Sequence, residues 1–311
     1  MNWKRIKHRI WFDVHRVWMV WHFFIPVFTG QLFRFPFLRR WWMWRHMRLR
    51  KKIYRDDVRG MGNIKESITL ETSDEVKIDC RFFPNGDNKK IIIFSHGIAD
   101  NKNEFVRHFK NLYKEGYAFF TFDYRAHGKS GGHMSTLGVK EQEDLVTVIN
   151  YVRERFHGFG QKYYLIGHSM GSTIALLVAG TYPKLLHGMV LFSPFDSIHR
   201  VFKYISKSFF KRRSRLLLSF FYRLSRKEYR EYWRRLNVLV KVTQINIPTL
   251  LIHGKRDTLI PFVSSTEIYR KLQCSKSLIL VDGAGHRDII NIKEHGVERR
   301  LKRFLKKGKT Y

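Results

Sequence analysis

The sequence predicts an α/β domain in which a mostly parallel sheet is covered by helices on both faces. From residue 64 onward, short apolar segments of strand length alternate with longer segments of helical periodicity. Compact apolar runs are typical of strands buried on both faces, and their alternation with helices predicts parallel strand–helix–strand units. The chain of 311 residues is long enough for one such domain and an additional segment.

Eight segments are predicted to form the sheet. The first two flank a turn at Thr72-Ser73-Asp74 and are expected to pair as a hairpin. The other six are compact and apolar, as expected of buried strands, and the segments between and after them have helical patterns. The predicted strands are 64–70, 76–83, 91–94, 118–122, 163–166, 189–192, 250–252 and 277–281, and the predicted helices are 102–115, 136–156, 172–181, 262–272 and 299–309.

Residues 1–60 differ in composition from the rest of the chain and are expected to associate with a membrane. They contain seven of the eight tryptophans, and residues 1–55 carry 14 Lys and Arg against one acid. Tryptophan combined with Lys and Arg favours the headgroup zone of a bilayer, so a helix lying in the membrane plane is the preferred interpretation. Residues 17–33 are almost continuously apolar and are just long enough to span the bilayer instead.

Other interpretations of this segment stay open. If residues 17–33 span the bilayer, the heavier positive flank at 39–55 would keep the domain at 61–311 on the cytoplasmic side. Alternatively, the aromatic side chains pack on the domain as an extra helix. A cleaved signal peptide is disfavoured because no cleavage site of small residues follows the apolar stretch. The two cysteines, Cys80 and Cys274, suit a reducing compartment.

A serine between two glycines follows the predicted strand 163–166. The sequence Gly167-His168-Ser169-Met170-Gly171 precedes a run of small, helix-forming residues. Gly-x-Ser-x-Gly between a buried strand and a helix is typical of a nucleophile elbow, in which the serine has a strained backbone and the glycines avoid collisions with neighbouring elements. Ser169 is therefore predicted to be a nucleophile.

A nucleophilic serine needs a base, and the base needs an orienting acid. Asp257 lies in the loop after the predicted strand 250–252, and His286 follows the strand 277–281. Both are expected at the carboxyl edge of the sheet, and the chain order Ser, Asp, His is the one that this architecture requires. Asp196 is the alternative acid, and Asp282 is a weaker one. The remaining histidines near these loops are interpreted as structural: His127, His133, His168 and His253.

Two backbone amides are expected to bind the oxyanion that forms during acyl transfer. One is the N–H of Met170, directly after the nucleophile. The other is the N–H of Ile98 in the loop after strand 91–94, where Gly97 permits a close approach of the backbone. The Ile98 side chain is expected to form an apolar wall of the acyl pocket. This chemistry requires neither a metal ion nor an organic cofactor.

With these motifs in place, the chain resembles the α/β-hydrolase superfamily. The stretch FDYRAHGKSGG at residues 122–132 is similar to the branch that includes monoacylglycerol lipases, lysophospholipases and serine-aminopeptidase-like members. The resemblance covers about residues 64–305. It implies the α/β-hydrolase fold, with Ser169 as the nucleophile, Asp257 as the acid and His286 as the base. It further implies that the backbone N–H groups of Ile98 and Met170 are the oxyanion donors. It also implies that Asp123 and Arg125 are structural.

The tryptophan-rich N-terminus and a basic insert depart from the family pattern. The family carries a lid between the sixth and seventh strands, and here that position holds residues 195–245. Residues 199–241 carry 14 Lys and Arg against two acids, beside apolar runs. This mixture indicates a lid that rests on an anionic membrane surface, although a solvated charged face would have the same composition. The net charge of +33 would also suit a protein that binds nucleic acid. This interpretation is disfavoured because no RNA- or DNA-binding module is visible in the sequence.

The sequence therefore predicts a membrane-associated serine hydrolase that cleaves a carboxylic ester of a lipid through an acyl-enzyme. A monoacylglycerol or a lysophospholipid is the expected kind of substrate. A peptidase or amidase on the same fold is the alternative enzyme. A non-catalytic lipid-binding protein that keeps the same scaffold is the alternative without catalysis.

Overall fold

The computed structural model describes residues 66–307, with gaps at residues 99, 134, 159, 211–235 and 294. The predicted membrane-associating segment at 1–60 lies outside the described residues, and so does the middle of the predicted insert at 195–245. Within the described ranges, no helix is both long enough and apolar enough to cross a membrane.

One mostly parallel sheet forms the centre of the described structure. Its strands are β1 (Glu66–Glu71), β2 (Lys77–Phe83), β3 (Lys90–Ser95), β4 (Ala118–Phe122), β5 (Lys162–His168), β6 (Gly188–Phe192), β7 (Thr249–Gly254) and β8 (Lys276–Val281). In space they follow the order β1-β2-β4-β3-β5-β6-β7-β8. Strand β2 is antiparallel to both of its neighbours, whereas β4, β3, β5, β6, β7 and β8 are mutually parallel. The predicted mostly parallel sheet is confirmed.

Helices connect most of the strands. They are α1 (Lys102–Val106), α2 (Lys110–Lys114), α3 (Glu141–Arg155), α4 (Met170–Thr181), α5 (Ile198–Phe210), α6 (Val238–Lys241), α7 (Val263–Lys271) and α8 (Glu298–Lys307). In the described ranges, short 3₁₀ turns occur at Arg107–Phe109, Val242–Gln244 and Asp288–Ile290. The first of these turns interrupts the helix predicted at 102–115, which is therefore two short helices.

Helix α3 begins at Glu141 rather than at residue 136 as predicted. Leu137 and Gly138 have positive φ angles of 58° and 111°, and such a backbone cannot continue into a right-handed helix. The buried Glu141 carboxylate accepts hydrogen bonds from the backbone N–H groups of Thr136 and Gly138 at 2.7 and 2.8 Å. The glutamate thus holds the preceding turn, an arrangement that helical periodicity does not reveal.

The side chains of β3 illustrate how the sheet separates two apolar layers. Because successive side chains of a strand point to opposite faces, Ile91 and Ile93 pack in one cluster and Ile92 and Phe94 pack in the other. Helices α3, α4 and α7 contribute buried side chains to the first layer, and α1, α2 and α8 contribute to the second. The predicted cover of helices on both faces is confirmed, and it explains why these strands are continuously apolar.

A buried lysine joins three segments beside the sheet. Lys102 Nζ lies 2.5 Å from Asp123 Oδ2 and 3.0 Å from Asp79 Oδ2, and the lysine side chain has no exposed surface. The Lys102 backbone N–H donates to Asp123 Oδ1 at 2.8 Å. Burial alone would raise the pKa of the Asp123 carboxyl, but the Lys102 charge keeps it below its usual value. The cluster therefore holds the start of α1 against β2 and the end of β4.

Arg125 ties the loop after β4 to the hairpin turn and to α3. Its buried guanidinium lies 2.6 Å from Asp144 Oδ1 and 2.7 Å from Asp74 Oδ2. The FDYRAHGKSGG stretch thus contributes Asp123 and Arg125 to two ion-pair clusters of the scaffold, contacts that fit the structural role implied by the family resemblance.

Replacing Lys102 with Met should lower the free energy of unfolding by about 3–5 kcal/mol, because it leaves the buried Asp123 carboxylate without its cation. Urea unfolding followed by circular dichroism would measure the change. Lys89→Met is the matched control, since the Lys89–Asp87 pair lies on the surface and its loss should change stability little. Equal unfolding midpoints for the two variants would contradict a stabilising role of the buried cluster.

Candidate active site

Ser169 lies at the sharp turn between β5 and α4. Its backbone has φ 53° and ψ −119°, a positive φ that residues other than glycine rarely adopt. The Ser169 N–H donates to the Phe192 carbonyl of β6 at 2.8 Å, and the Ser169 carbonyl accepts from the Thr173 N–H at 3.2 Å. These two bonds hold the strained turn at the carboxyl edge of the sheet.

The glycines of the Gly-x-Ser-x-Gly motif are required by close packing. A Cβ at Gly171 would lie 2.2 Å from the Ser95 carbonyl oxygen of β3, and a Cβ at Gly167 would lie 2.8 Å from the Ser172 Cα. Side-chain movement cannot relieve either contact, because both involve backbone atoms. The motif therefore reflects a helix that starts in direct contact with β3 and β5.

Three predicted site residues that are distant in the sequence meet at this edge. His286 Nε2 lies 3.0 Å from Ser169 Oγ, and His286 Nδ1 lies 2.7 Å from Asp257 Oδ2. Because an ionised carboxylate only accepts, Nδ1 carries the proton of the neutral imidazole, and Nε2 can accept from the Ser169 hydroxyl. All three residues are buried, with His286 the most exposed at 9%. The arrangement allows the serine hydroxyl to transfer its proton to the imidazole.

The surroundings of Asp257 hold its carboxylate in place and in the ionised form. Asp257 Oδ1 accepts hydrogen bonds from the N–H groups of Leu259 and Ile260 at 2.9 and 2.8 Å. Burial alone would raise the pKa of Asp257, but the electrostatic attraction of the His286 N–H and the hydrogen bonds with His253 and His286 hold it well below its usual range. The resulting anion can stabilise a protonated His286.

The two predicted oxyanion donors belong to backbone segments next to Ser169. Met170 is the first residue of α4, so its N–H has no acceptor within the helix. The loop after β3 packs closely against the elbow, because a Cβ at Gly97 would lie 3.3 Å from Ser169 Cβ. Both peptides therefore border the turn that carries Ser169.

His96 orients the peptide between Gly97 and Ile98. The Tyr124 N–H donates to His96 Nε2 at 3.0 Å, so the neutral imidazole carries its proton on Nδ1 and donates to the Gly97 carbonyl at 2.7 Å. Burial lowers the pKa of His96 to about 3, which keeps the ring neutral. In a trans peptide the carbonyl and the following N–H point in opposite directions, so this bond directs the Ile98 N–H away from His96.

Two family models match the chain over adjoining ranges. Residues 86–234 match the family described as serine aminopeptidase, S33, and residues 231–311 match the family described as TAP-like protein. The first range contains Ser169 and the loop after β3, and the second contains Asp257 and His286. The chain belongs to the α/β-hydrolase superfamily.

The chain is also similar to individual proteins. An esterase from Pyrococcus furiosus is 28% identical with a TM-score of 0.63, and the alignment covers 78% of this chain and 92% of the esterase. An uncharacterized membrane protein of Saccharomyces cerevisiae is 26% identical over 227 residues, 72% of this chain and 74% of its own length. The monoglyceride lipase of Rattus norvegicus is 29% identical over 128 residues, 40% of this chain and 42% of the lipase. The protein is a serine hydrolase.

The alternative acids of this α/β-hydrolase have partners other than His286. Asp196 Oδ1 accepts from Ser264 Oγ at 2.9 Å, and Asp282 pairs with Lys255 at the surface. The carboxylate in contact with His286 Nδ1 is that of Asp257. Within the described part of the chain, no group of three or more His, Cys, Asp or Glu side chains is placed to hold a metal ion.

Two histidines that the sequence analysis interpreted as structural contact the site directly. His168 Nε2 donates to the His286 carbonyl at 2.9 Å, and His253 Nε2 lies 3.3 Å from Asp257 Oδ2. Neither contact is predicted by the sequence, because spacing along a loop does not reveal which side chains meet. The available signal was positional: both histidines belong to the last two residues of strands β5 and β7, at the edge where the site forms.

Lowering the pH should destabilise the fold through the buried imidazoles of His96 and His168. Burial and, next, a neighbouring imidazole lower the pKa of each from the ordinary 6.5 to about 3. Between these values the unfolded chain binds more protons than the folded chain. Stability is therefore full above about pH 6.5 and declines as the pH falls towards about 3. Melting temperatures recorded across this range would measure the decline.

The His168→Gln variant separates this effect from general acid denaturation. It removes one titrating group, so its melting temperature should depend less steeply on pH than that of the wild type. His199→Gln is the control, because the exposed His199 meets water in both the folded and the unfolded chain. Parallel curves for wild type and His168→Gln would contradict the explanation.

Proposed function

We propose that the protein is a membrane-associated hydrolase that cleaves a carboxylic ester of a lipid, such as a monoacylglycerol or a lysophospholipid, through an acyl-enzyme. The observation that carries the catalytic part is the pair of contacts from His286, 3.0 Å to Ser169 Oγ and 2.7 Å to Asp257 Oδ2. A buried Ser–His–Asp arrangement supports activation of the serine by general-base catalysis. Ser169 is accordingly the nucleophile, His286 the base and Asp257 the acid.

In the proposed reaction, Ser169 Oγ attacks the acyl carbon while His286 Nε2 accepts the hydroxyl proton. The oxyanion accepts hydrogen bonds from the backbone N–H groups of Ile98 and Met170. His286 returns the proton to the leaving alcohol, which departs and leaves an acyl group on Ser169. A water molecule then attacks the acyl carbon and gives a proton to His286. The bond to Ser169 Oγ breaks, the fatty acid leaves, and His286 returns the proton to Ser169 Oγ. Asp257 stabilises the imidazolium in both steps, and the scheme needs no metal ion or organic cofactor.

A lipid substrate is supported by the similarity to a monoglyceride lipase and by the described start of the insert. Helix α5 is amphipathic, since one face is buried and the other carries exposed cationic residues. The buried residues are Ile198, Phe202 and Ile205, and the exposed ones include Lys203 and Lys207. We interpret α5 as part of a lid over the site whose outer face contacts an anionic membrane. Tyr204 of α5 donates to the Asp257 carbonyl at 3.1 Å, which supports its position over the acid loop.

A peptidase or amidase is the second candidate, and the match to a serine aminopeptidase family favours it. The same acyl-enzyme chemistry applies to both candidates, so Ser169 and His286 do not discriminate between them. Parallel rates for monoacylglycerols, lysophospholipids and aminoacyl-anilides with the full-length protein would decide. Preferential hydrolysis of the anilides would overturn the lipid-ester proposal.

A fluorophosphonate probe should label the wild type in detergent or vesicles and should not label Ser169→Ala, because the probe reacts with an activated serine.

Asp257→Asn should lower turnover by a factor on the order of 10⁴, because the asparagine no longer favours the His286 tautomer that accepts at Nε2. Hydrolysis of p-nitrophenyl butyrate would measure the loss. Asp282→Asn is the control, since Asp282 is exposed and pairs with Lys255. Near-wild-type turnover of Asp257→Asn would transfer the acid role to Asp196.

The full-length protein should sediment with anionic phosphatidylserine vesicles, and the double variant Lys203→Glu/Lys207→Glu should sediment less. Each Lys or Arg near such a surface contributes about 1 kcal/mol, so reversal of two charges is expected to weaken binding by more than tenfold. The matched control is Lys90→Glu/Lys162→Glu. It changes the net charge equally at two exposed lysines that start β3 and β5, at the opposite edge of the sheet. Equal weakening by both double variants would contradict a specific role for α5.

Deletion of residues 1–55 tests the second proposed membrane contact. The truncated protein should move from the membrane fraction to the soluble fraction of lysed cells, because it lacks 14 basic residues and seven tryptophans. An unchanged distribution would reject the N-terminal anchor and leave the insert as the membrane contact. The truncated protein should keep its reaction with the fluorophosphonate probe if the deletion leaves the domain folded.

A further inference from the structure

His253 is a second imidazole in contact with Asp257. It belongs to β7, its side chain has no exposed surface, and its Nε2 lies 3.3 Å from Asp257 Oδ2. The same carboxylate oxygen lies 2.7 Å from His286 Nδ1. One oxygen of the acid therefore lies between two imidazoles, of which His286 is the one that contacts Ser169.

The neighbours of His253 determine which of its nitrogens carries a proton. Nε2 lies 3.1 Å from the Ile260 carbonyl oxygen, which can only accept, so Nε2 is protonated. Nδ1 lies 2.6 Å from Ser265 Oγ, whose hydroxyl can donate. A neutral imidazole with its proton on Nε2 satisfies both contacts. It also places the positive end of the N–H bond beside Asp257 Oδ2.

His253 also connects to the loop that holds the other carboxylate oxygen. The Ile260 carbonyl accepts from His253, and the Ile260 N–H donates to Asp257 Oδ1 at 2.8 Å. Loss of the His253 side chain would therefore affect both oxygens of the carboxylate. Oδ2 would lose the neighbouring N–H dipole of His253. Oδ1 would still accept from the Ile260 N–H, but the Ile260 carbonyl would no longer be hydrogen-bonded to His253.

We propose that His253 is a positioning residue for Asp257, one that keeps Oδ2 directed at His286 Nδ1. The inference rests on the proposed role of Asp257 as the acid. His253 acts through Asp257 and touches neither the substrate nor Ser169. Without it the carboxylate can rotate, and a smaller fraction of His286 then has its proton on Nδ1. Because this fraction limits the chemical step and not substrate binding, its loss lowers kcat and leaves KM unchanged.

Two substitutions of different length test this role in the full-length protein. The amide nitrogen of glutamine can reach the place of imidazole Nε2, whereas that of asparagine reaches only the place of Nδ1. His253→Asn should lower kcat for p-nitrophenyl butyrate roughly 10- to 100-fold, the loss expected for one contact to a buried charge. His253→Gln should remain within about threefold of the wild type, since it can keep a donor beside Oδ2. KM should be unchanged in both variants.

Ser264→Ala is the matched control for loss of a neighbouring buried hydrogen bond. Ser264 lies on α7 beside Ser265, is fully buried, and donates to Asp196 rather than to His253. This variant should melt at a lower temperature than the wild type and keep its kcat. Wild-type kcat in folded His253→Asn, or equal losses in the Gln and Asn variants, would overturn the proposal.

A measurement on the wild type keeps the proposal falsifiable if His253→Asn fails to fold. Histidine ¹⁵N NMR should place the His253 proton on Nε2, and a proton on Nδ1 alone would overturn the proposal.

The Asp257→Asn variant separates this inference from the proposed function. Full activity of Asp257→Asn would reject Asp257 as the acid. Inactive Asp257→Asn together with fully active, folded His253→Asn would reject only the role of His253.

Discussion

The strained turn at Ser169 is the constraint on which the rest of the site depends. A positive φ at a residue other than glycine costs about 1–3 kcal/mol and persists only when the surroundings enforce it. Here the Ser169 N–H is bound to β6, and Gly171 is in contact with a carbonyl of β3. The helix that follows places the Met170 N–H at the same point. Strands β3, β5 and β6 together therefore hold the conformation that makes a serine hydroxyl accessible to a base.

Buried polar groups complete this arrangement, and the charged ones among them contact specific partners. Asp257 accepts from two backbone amides and contacts two imidazoles, and Lys102 contacts two carboxylates. His96 and His168 remain neutral because burial disfavours their charged forms. Such groups are costly to bury unless their partners are in place. The same contacts that orient the candidate catalytic groups thus make the fold sensitive to the loss of a single partner.

Basic residues are concentrated in the segments that are proposed to bind the membrane, and not in the domain that carries the candidate catalytic residues. Outside residues 1–55, 199–241 and 287–311, the chain has 22 Lys and Arg against 20 acids and is almost neutral. A nearly neutral domain has little attraction for an anionic surface, so we assign that attraction to the basic segments. In the proposed function, the parallel sheet supplies acyl transfer, and the insert and N-terminal segment supply the contact with the membrane.

The sequence by itself determined the strand–helix alternation, the Gly-x-Ser-x-Gly turn and the strand ends that carry Asp257 and His286. These features depend on local patterns, such as apolar runs and glycines, and on the rule that parallel strands end at one edge. The tertiary structure alone decided where the helix at 102–115 breaks, which carboxylate meets His286, and that His168 and His253 contact the site. Those outcomes depend on side chains from strands adjacent in space and distant in the chain, where local periodicity carries no information about which atoms meet.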